Sequence, residues 1–416
     1  MFAVVSSRLD KNRLLLLWPA AQSHSTWPTI SRDFQLSSVW PLVPRGDASI
    51  IFDQARNVFE QATYSSNSIF PYPPAAVLVF NSLSVGGPTI FMGAWYFLMV
   101  AGLVVSVRAS LAQESDDTRG AWLLIGLVSI LIADAPISWD LRNANSNLIC
   151  LGLVMMGYGL LGPLPLVAGT LVGLALSLKL YTGLLLLYLF ISGPRRAIGA
   201  AVMTVFILWI VLPLVIFGPE GALKLYSSWK EQLRIISDPF LHASLAAKDA
   251  GPPLVTLQRA VVNMTGGEFG SQATRAWLLA FGLIWAATLS WYAWCCREAF
   301  RVPVPSRAAL ADWVVLMLAP LPLSPWLEPY HAVPLLVGAL LCVVVALDEA
   351  QVRSNQLVAV AAVATLLLFL VFKLPFAARG FGLGAQFLVV VVALGYLRRR
   401  LAKQRTGHSD KAAFKT

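Results

Sequence analysis

The sequence predicts an all-α polytopic membrane protein, and three observations support this class. Of the 416 residues, 57% are hydrophobic and only 12% are charged, whereas about 25% are charged in a typical soluble domain. The apolar runs are continuous, while the strands of a membrane barrel alternate apolar and polar residues. Backbone polar groups in lipid must be satisfied internally, which a helix achieves within one segment. We therefore expect a bundle of about eleven or twelve transmembrane helices, with amphipathic helices in its outer loops.

The individual spans are predicted from the apolar runs, since a spanning helix needs about 20 such residues. Several runs are shorter, so we expect flanking residues to extend them or the helices to be irregular. The predicted spans are 88–107, 121–135, 147–161, 164–178, 180–192, 197–217, 276–296, 311–325, 332–347, 355–372 and 382–397.

The orientation of the bundle is predicted from its basic clusters, because cytoplasmic loops of membrane proteins are enriched in Lys and Arg. If Arg195 and Arg196 lie in the cytoplasm, threading the spans places the basic segment 297–307 and the C-terminus there as well. The two long outer loops are then 46–87 and 218–275. The unusual polar residues of the chain consequently share the outer side.

Three regions follow from this threading. Residues 1–45 form an N-terminal segment whose first helix is weak or missing, and residues 46–397 form the membrane domain. Residues 398–416 form a basic cytoplasmic tail. We expect a multi-pass protein of the cell membrane with its site facing the periplasm or exterior.

Charge and motifs argue against several classes. The net charge of +10 lies in clusters beside spans, so we expect no nucleic-acid partner. The four cysteines show no C-x-x-C spacing and no disulfide framework. Protease, NTPase and serine-hydrolase readings lack support, because no H-E-x-x-H, Walker or G-x-S-x-G sequence is present.

The first candidate constellation begins at Asp47 and ends at Tyr72-Pro73-Pro74. The apolar spacing after Asp47 suits a short amphipathic helix on the membrane. Asp47 is then either the cap of this helix or a general base that deprotonates an alcohol. Asp53 competes for the second role, and the proline pair is expected to end the loop.

The second constellation combines an Asp, an Arg and three Asn in residues 139–147, directly before an apolar span. Amides at a helix start are usually caps. Arg142, Asn145 and Asn147 are also the residue types that bind a sugar or a phosphate. The sequence leaves both interpretations open.

Lys179 is the third candidate, because it lies between two long apolar runs just before Tyr181. A lysine in such a place is costly unless it snorkels to the interface or pairs. Snorkelling is the structural interpretation. The functional one is that its compact ammonium binds a lipid phosphate.

The fourth constellation is the short outer turn that contains Trp326, Glu328, Tyr330 and His331. Trp and Tyr alone would indicate an aromatic belt at the interface. Glu328 and His331 make a site the better interpretation, since a histidine donates or accepts a proton near neutral pH.

Together these residues resemble a known family, the polyprenol-phosphate-mannose-dependent α-mannosyltransferases of glycosyltransferase family 87, which have the GT-C architecture. The resemblance covers roughly residues 47–396. The motifs that carry it are Gly46-Asp47, Ala55, Tyr72-Pro73-Pro74, Ala144-Asn145-Ser146-Asn147, Gly169, Gly173, Lys179, Ser324-Pro325-Trp326 and His331.

The resemblance implies roles for the candidate residues. Asp47 would be the catalytic base, and His331 would lie near the donor phosphate. We add Lys179 and Arg142 as cations for that phosphate. The remaining candidates for contacts with the substrates are Tyr72, Asn145, Asn147, Tyr181, Trp326 and Glu328.

The resemblance also implies a reaction at the outer face of the membrane. A sugar, mannose or another hexose or pentose, would move from a polyprenyl phosphate to a lipid-linked or cell-envelope glycan. No nucleotide cofactor and no metal is expected. Two other functions remain open from the residues, a multispan transporter and a polyprenyl-linked glycan ligase. A transporter would carry its ionisable residues near the midplane and repeat its broken helices, whereas here they lie at helix ends.

Overall fold

The structure, a computed structural model, is helical wherever it forms regular elements. It describes residues 58–59, 61–64, 72–81, 87–111, 137, 140–141, 144–236, 272–297, 306–323, 329–341 and 387–399. No strand occurs among these residues. The predicted spans 121–135 and 355–372 lie outside them.

The longer helices are α1 (Pro74–Asn81), α2 (Gly87–Leu111), α3 (Asn147–Leu160), α4 (Pro165–Leu178), α5 (Leu184–Ile191), α6 (Arg195–Phe206), α7 (Leu212–Ile236), α8 (Gln272–Cys296) and α9 (Arg307–Leu318). Most of them follow the predicted spans, but α1 lies within the predicted outer loop 46–87 and α7 runs beyond the predicted end at 217. Residues 334–341 and 387–399 are also helical. One-turn 3₁₀ helices occupy Leu180–Gly183, Leu321–Leu323 and Pro329–Ala332.

Three helical stretches within the described residues are long and apolar enough to cross a membrane: Ile90–Ser110, Arg195–Arg234 and Arg275–Cys296. Their outward residues are apolar, as Phe97 on α2 (71% exposed) and Leu279 on α8 (65% exposed) illustrate. A surface of this kind is suited to lipid rather than water. The predicted class, an all-α polytopic membrane protein, is confirmed.

Glycines allow the helices at the centre of the bundle to approach closely. A Cβ on Gly102 of α2 would collide with the backbone of Leu148 on α3, and one on Gly169 of α4 would collide with the backbone of Ala197 on α6. Small residues of this kind permit close helix packing in membranes. Gly169, in the predicted span 164–178, therefore allows α4 to pack directly on α6.

The path from α6 into α7 is irregular and longer than predicted. A π-helical segment, Ile207–Val211, joins the two helices, and Gly218 (φ +71°) followed by Pro219 kinks α7. Gly218 has the positive φ that L-residues with a Cβ avoid. The first part of the predicted outer loop 218–275 is consequently helical up to Ile236.

The helical arm 219–236 is amphipathic, which explains why its charged composition suggested a loop. Ala222 and Leu225 are buried on one side, whereas Glu220 and Lys224 are exposed. Such a pattern is that of a helix lying against a protein surface. Trp229 on this arm packs edge-to-face on Trp209 of the π-helical segment, with the ring centroids 5.5 Å apart.

A buried ion pair joins α9 to the last helix. Arg398 Nε lies 3.1 Å from Asp312 Oδ1, and the Arg398 side chain is 1% exposed. Tyr292 of α8 donates a hydrogen bond of 2.6 Å to the same carboxylate oxygen. The predicted boundary of the tail at 398 therefore falls inside a helix, and Arg398 belongs to the bundle.

Candidate functional site

The site begins at the turn that leads into α3. Ala144 has φ +44°, an uncommon conformation for a residue with a Cβ. The turn is closed by two backbone hydrogen bonds, from Ala144 N to Leu141 O (3.2 Å) and from Asn145 N to Asp140 O (2.9 Å). This geometry brings Asn145 and Asn147 onto the buried end of the helix, where both have no exposed surface.

Asp140 caps α3, although it precedes the helix by seven residues. Its Oδ2 accepts a hydrogen bond of 2.9 Å from Leu148 N, and its Oδ1 accepts one of 2.9 Å from Asn147 Nδ2. A carboxylate at a helix N-terminus satisfies an orphan N–H and complements the positive end of the helix dipole. Asp140 therefore supplies the cap, Asn147 supports it through its side-chain amide, and the Asn145 side-chain oxygen accepts from other donors.

The Asn145 side-chain oxygen is the centre of the cluster. It accepts from the Tyr72 hydroxyl (3.0 Å), Ser146 N (2.8 Å), Asn147 Nδ2 (2.8 Å) and Lys179 Nζ (3.2 Å). An amide oxygen has only two lone pairs. The four donors must share this oxygen, so removal of one donor allows the hydrogen bonds from the others to become stronger.

Lys179 reaches this cluster from the end of α4. Its backbone is extended (φ −140°) and its N–H closes the helix on Ala175 O. The ammonium lies 4.1 Å from the centroid of the Tyr72 ring, a distance suited to a cation–π interaction. The side chain thus lies between an amide oxygen and an aromatic face, so Lys179 is paired.

Tyr72 links the Tyr-Pro-Pro segment to α3. Its hydroxyl donates to Asn145 Oδ1 and accepts from Ser146 Oγ (3.0 Å). Its carbonyl accepts a hydrogen bond of 3.1 Å from the Tyr64 hydroxyl. Pro74 then starts α1, as expected of a proline in the first turn of a helix.

Tyr64 extends the cluster to the arm 219–236. Its backbone N–H donates to Ser228 Oγ at 3.1 Å. Burial, and secondarily the nearby Tyr226, raises the pKa of the Tyr64 hydroxyl well above its ordinary value. The hydroxyl therefore keeps its proton at neutral pH and continues to donate to Tyr72.

Two polar atoms of the cluster have no hydrogen-bond partner among the residues that the structure describes. They are Asn145 Nδ2, a donor, and Asn147 Oδ1, an acceptor. A buried polar group without a partner costs about 1–3 kcal/mol. An unused donor and an unused acceptor beside a lysine are what a hydroxyl-rich or phosphorylated ligand would use.

The sequence-predicted residues divide into three groups. The hydrogen bonds given above bring Tyr72, Asn145, Asn147 and Lys179 together, and Tyr181 follows on the 3₁₀ helix after Lys179. His331 is half-buried in the 3₁₀ helix Pro329–Ala332, and those hydrogen bonds do not extend to it. Four candidates lie outside the described residues: Asp47, Arg142, Trp326 and Glu328.

Sequence reasoning missed the roles of Asp140 and Tyr64. A rule that looks for a cap at the residue before a helix finds Ser146, whose side chain makes no cap hydrogen bond. The signal that would have found Asp140 is its charge, because a buried carboxylate directly before an apolar span needs donors.

Comparisons with known proteins place the cluster within a recognised family. The family model described as glycosyltransferase family 87 matches residues 70–325, more than half of the chain. Tyr72, Asn145, Asn147 and Lys179 all lie inside the matched range. No curated protein matches the chain, and no solved structure does.

Proposed function

The chain belongs to glycosyltransferase family 87, and from this premise we propose that it uses a polyprenyl-phosphate sugar as its donor. The sugar is mannose or another hexose or pentose. The acceptor is a lipid-linked or cell-envelope glycan at the outer face of the membrane, and the C-terminus is cytoplasmic.

The observation that carries this proposal is the fixed position of the Lys179 ammonium. Asn145 Oδ1 holds it at 3.2 Å and the Tyr72 ring lies beneath it at 4.1 Å. The leaving group of such a donor is a phosphate that gains negative charge as the glycosidic bond breaks. A cation that is already in place stabilises this charge without reorganising in the transition state.

The reaction needs one base and one or more cations. Asp47 removes the proton from the acceptor hydroxyl, while that oxygen forms a bond to the anomeric carbon. The bond from this carbon to the phosphate oxygen breaks, and its electron pair leaves with the phosphate as a dianion. Lys179 stabilises the dianion, with His331 and Arg142 as further donors.

The uncharged members of the site orient the two substrates. Asn145 Nδ2 and Asn147 Oδ1 provide a donor and an acceptor suited to sugar hydroxyls or phosphate oxygens. We assign further substrate contacts to Tyr181, Trp326 and Glu328. Because both substrates are anchored in one membrane, their encounter is confined to its surface, which favours the reaction.

The first test replaces Lys179 with Met in proteoliposomes supplied with labelled polyprenyl-phosphate sugars. We expect transfer to fall about 100- to 1000-fold, the effect of removing one donor that stabilises transition-state charge. Lys224→Met, an exposed lysine of α7, is the matched control and should retain wild-type transfer.

Asp47→Asn tests the second half of the proposal. It should abolish transfer while donor binding persists, because an amide cannot take the proton. Full transfer by the Lys179 variant would reject the phosphate site, and full transfer by the Asp47 variant would reject the assignment of the base.

A further inference from the structure

The helical arm makes its first link to the candidate site through Ser228. The Ser228 hydroxyl donates to Leu225 O at 2.9 Å and accepts from Tyr64 N at 3.1 Å. The hydroxyl is therefore oriented by its own helix while it holds the Tyr64 backbone. The Tyr64 hydroxyl donates in turn to Tyr72 O, and the Tyr72 ring lies 4.1 Å from the Lys179 ammonium.

Side-chain packing along the arm reinforces this first link. The Phe59 and Phe217 rings are tilted against each other with centroids 5.8 Å apart. Three residues further on, a Cβ on Gly221 would lie 3.6 Å from the Ala62 Cβ, in ordinary van der Waals contact. Together with the Ser228 hydrogen bond, these contacts advance in the same direction along both segments. The chain that leads to the Tyr-Pro-Pro segment is thus seated on the arm.

The second link runs through Trp209 of the π-helical segment. Trp209 O accepts from the Tyr226 hydroxyl on the arm, and the Trp229 ring packs edge-to-face on the Trp209 ring. Trp209 Nε1 donates to Ser177 Oγ at 3.1 Å. Ser177 has no exposed surface and lies in α4, two residues before Lys179. The arm is therefore also connected to the helix end that carries the lysine.

The two links end at the two features that determine where the ammonium lies. The end of α4 sets the position of the Lys179 backbone, and the Tyr72 ring lies against the far end of its side chain. A lysine has a flexible four-carbon stem, so both ends must be held to keep its charge in one place. A displacement of about 1 Å in an active site can cost about 100-fold in rate.

We propose that the helical arm positions Lys179 for the donor phosphate, with Ser228 and Trp209 as the positioning residues. Ser228 acts through Tyr72, and Trp209 acts through the end of α4. The proposal rests on the proposed function for its substrate and on the hydrogen bonds above for its geometry. Because one helix supports both links, a displacement of the arm would loosen the lysine at both ends.

The first test measures how firmly Lys179 is held, and it needs no substrate. The full-length protein in detergent micelles receives short pulses of acetic anhydride, which acetylates accessible amines. Peptide mass spectrometry gives the rate for Lys179 relative to that for Lys224, an exposed lysine of the arm. We expect Ser228→Ala and Trp209→Phe each to raise this ratio about fivefold, the effect of one net hydrogen bond.

Matched variants show whether the rise depends on the two links. Ser228→Thr keeps the hydroxyl and should keep the wild-type ratio. Ser227→Ala removes an exposed hydroxyl from the same helix, and Trp277→Phe changes an exposed tryptophan of α8. Neither should raise the ratio, and an equal rise in these controls would overturn the proposal. An unchanged ratio in Ser228→Ala or in Trp209→Phe would reject that residue as a positioning residue.

The second test measures transfer from labelled polyprenyl-phosphate sugar in proteoliposomes. We expect kcat to be about fivefold lower in Ser228→Ala, because Lys179 acts on charge that develops in the transition state. The KM for the donor should change much less, and Ser228→Thr should retain the wild-type kcat. A lower melting temperature with an unchanged kcat per folded molecule would show that Ser228 has only a structural role.

The two tests distinguish failure of this proposal from failure of the proposed function. If wild type transferred no polyprenyl-phosphate sugar while both variants raised the acetylation ratio, the donor assignment would be wrong. The arm would still position Lys179. If wild type transferred the sugar while both variants left the ratio and kcat unchanged, the role of the arm would be rejected and the donor assignment would stand.

Discussion

Two buried polar clusters differ in the chemistry of the acceptor at their centre. The first surrounds Asn145 at the start of α3. The second surrounds Asp312 on α9. Ser306, the N-cap residue of α9, accepts a hydrogen bond through its backbone carbonyl from the Tyr158 hydroxyl at the other end of α3. In the second, one carboxylate oxygen accepts from Tyr292, Cys296 and Arg398.

The first cluster is built around an amide oxygen instead of a carboxylate. Its members are amides, phenols and one lysine, and Asn145 Nδ2 and Asn147 Oδ1 have no partner among the described residues. A carboxylate that accepts from two other helices holds the helices together, whereas a pair of amides beside a lysine is suited to a ligand. We infer that the Asp312 cluster serves the fold and the Asn145 cluster serves the reaction.

The largest expected effect comes from a change in the Asp312 cluster, and it is an effect on the stability of the fold. Arg398→Met leaves the Asp312 carboxylate buried without its cation, which should lower the free energy of unfolding by about 3–5 kcal/mol. Thermal or SDS unfolding in detergent measures this. Transfer per folded molecule should remain at the wild-type level.

Asp312→Leu/Arg398→Met is the control for this change, because replacing both members of a buried pair removes the uncompensated charge. It should recover most of the stability. If transfer fell while both variants stayed folded, the division between a structural and a catalytic cluster would be wrong.

An intermediate effect is expected at the hub of the first cluster. Asn145→Asp places a carboxylate 3.2 Å from the Lys179 ammonium, where it would compete with the donor phosphate. We expect transfer to fall about 10- to 100-fold, since the attraction between a carboxylate and an ammonium at this distance amounts to a few kcal/mol. The loss should appear mainly as a higher KM for the polyprenyl-phosphate donor.

Ser146→Ala is the matched variant, because it removes a neighbouring buried hydroxyl without adding charge. It should change KM much less than Asn145→Asp does. An unchanged KM for the donor in Asn145→Asp would show that Lys179 does not take part in donor binding. The inference that the Asn145 cluster serves the reaction would then be wrong.

The smallest effect is expected for Tyr72→Phe. The ring below Lys179 remains, but the hydroxyl between Asn145 Oδ1 and Ser146 Oγ is lost. Other donors still reach the shared oxygen, so transfer should fall only about fivefold, equivalent to one net hydrogen bond of about 1 kcal/mol.

Tyr72→Leu removes the ring as well, and it should cost clearly more than Tyr72→Phe in the same transfer assay. Equal losses would show that the aromatic face contributes nothing to holding the ammonium.

Much of the fold was predictable because lipid imposes a simple requirement on composition. The continuous apolar runs identified α3, α4 and α8 to within a few residues at each end. The arm 219–236 falls in the predicted outer loop 218–275, because its charged residues obscure a helical period. Its amphipathic pattern is that of a helix packed against the protein, which a search for spans does not detect.

The candidate site was predictable where a polar or charged residue lies next to apolar runs of the sequence. Lys179 in an apolar run and the amides of residues 143–147 were evident for this reason. Which of these meet was not evident, because the contact between Lys179 and Asn145 joins residues 34 positions apart. The partnership of Asp312 and Arg398, 86 positions apart, is hidden from the sequence in the same way.

The glycine contacts between α2 and α3 and between α4 and α6 have a mechanical consequence. Backbones that touch directly have no layer of side chains to rearrange, so these four helices cannot slide past one another by switching rotamers. We expect these helices to form a stiff frame. If the donor is the polyprenyl phosphate that we propose, we expect any opening that admits its tail to come from segments outside these helices. Among the described residues, the arm beyond Gly218 contacts the site through Ser228 and Tyr64.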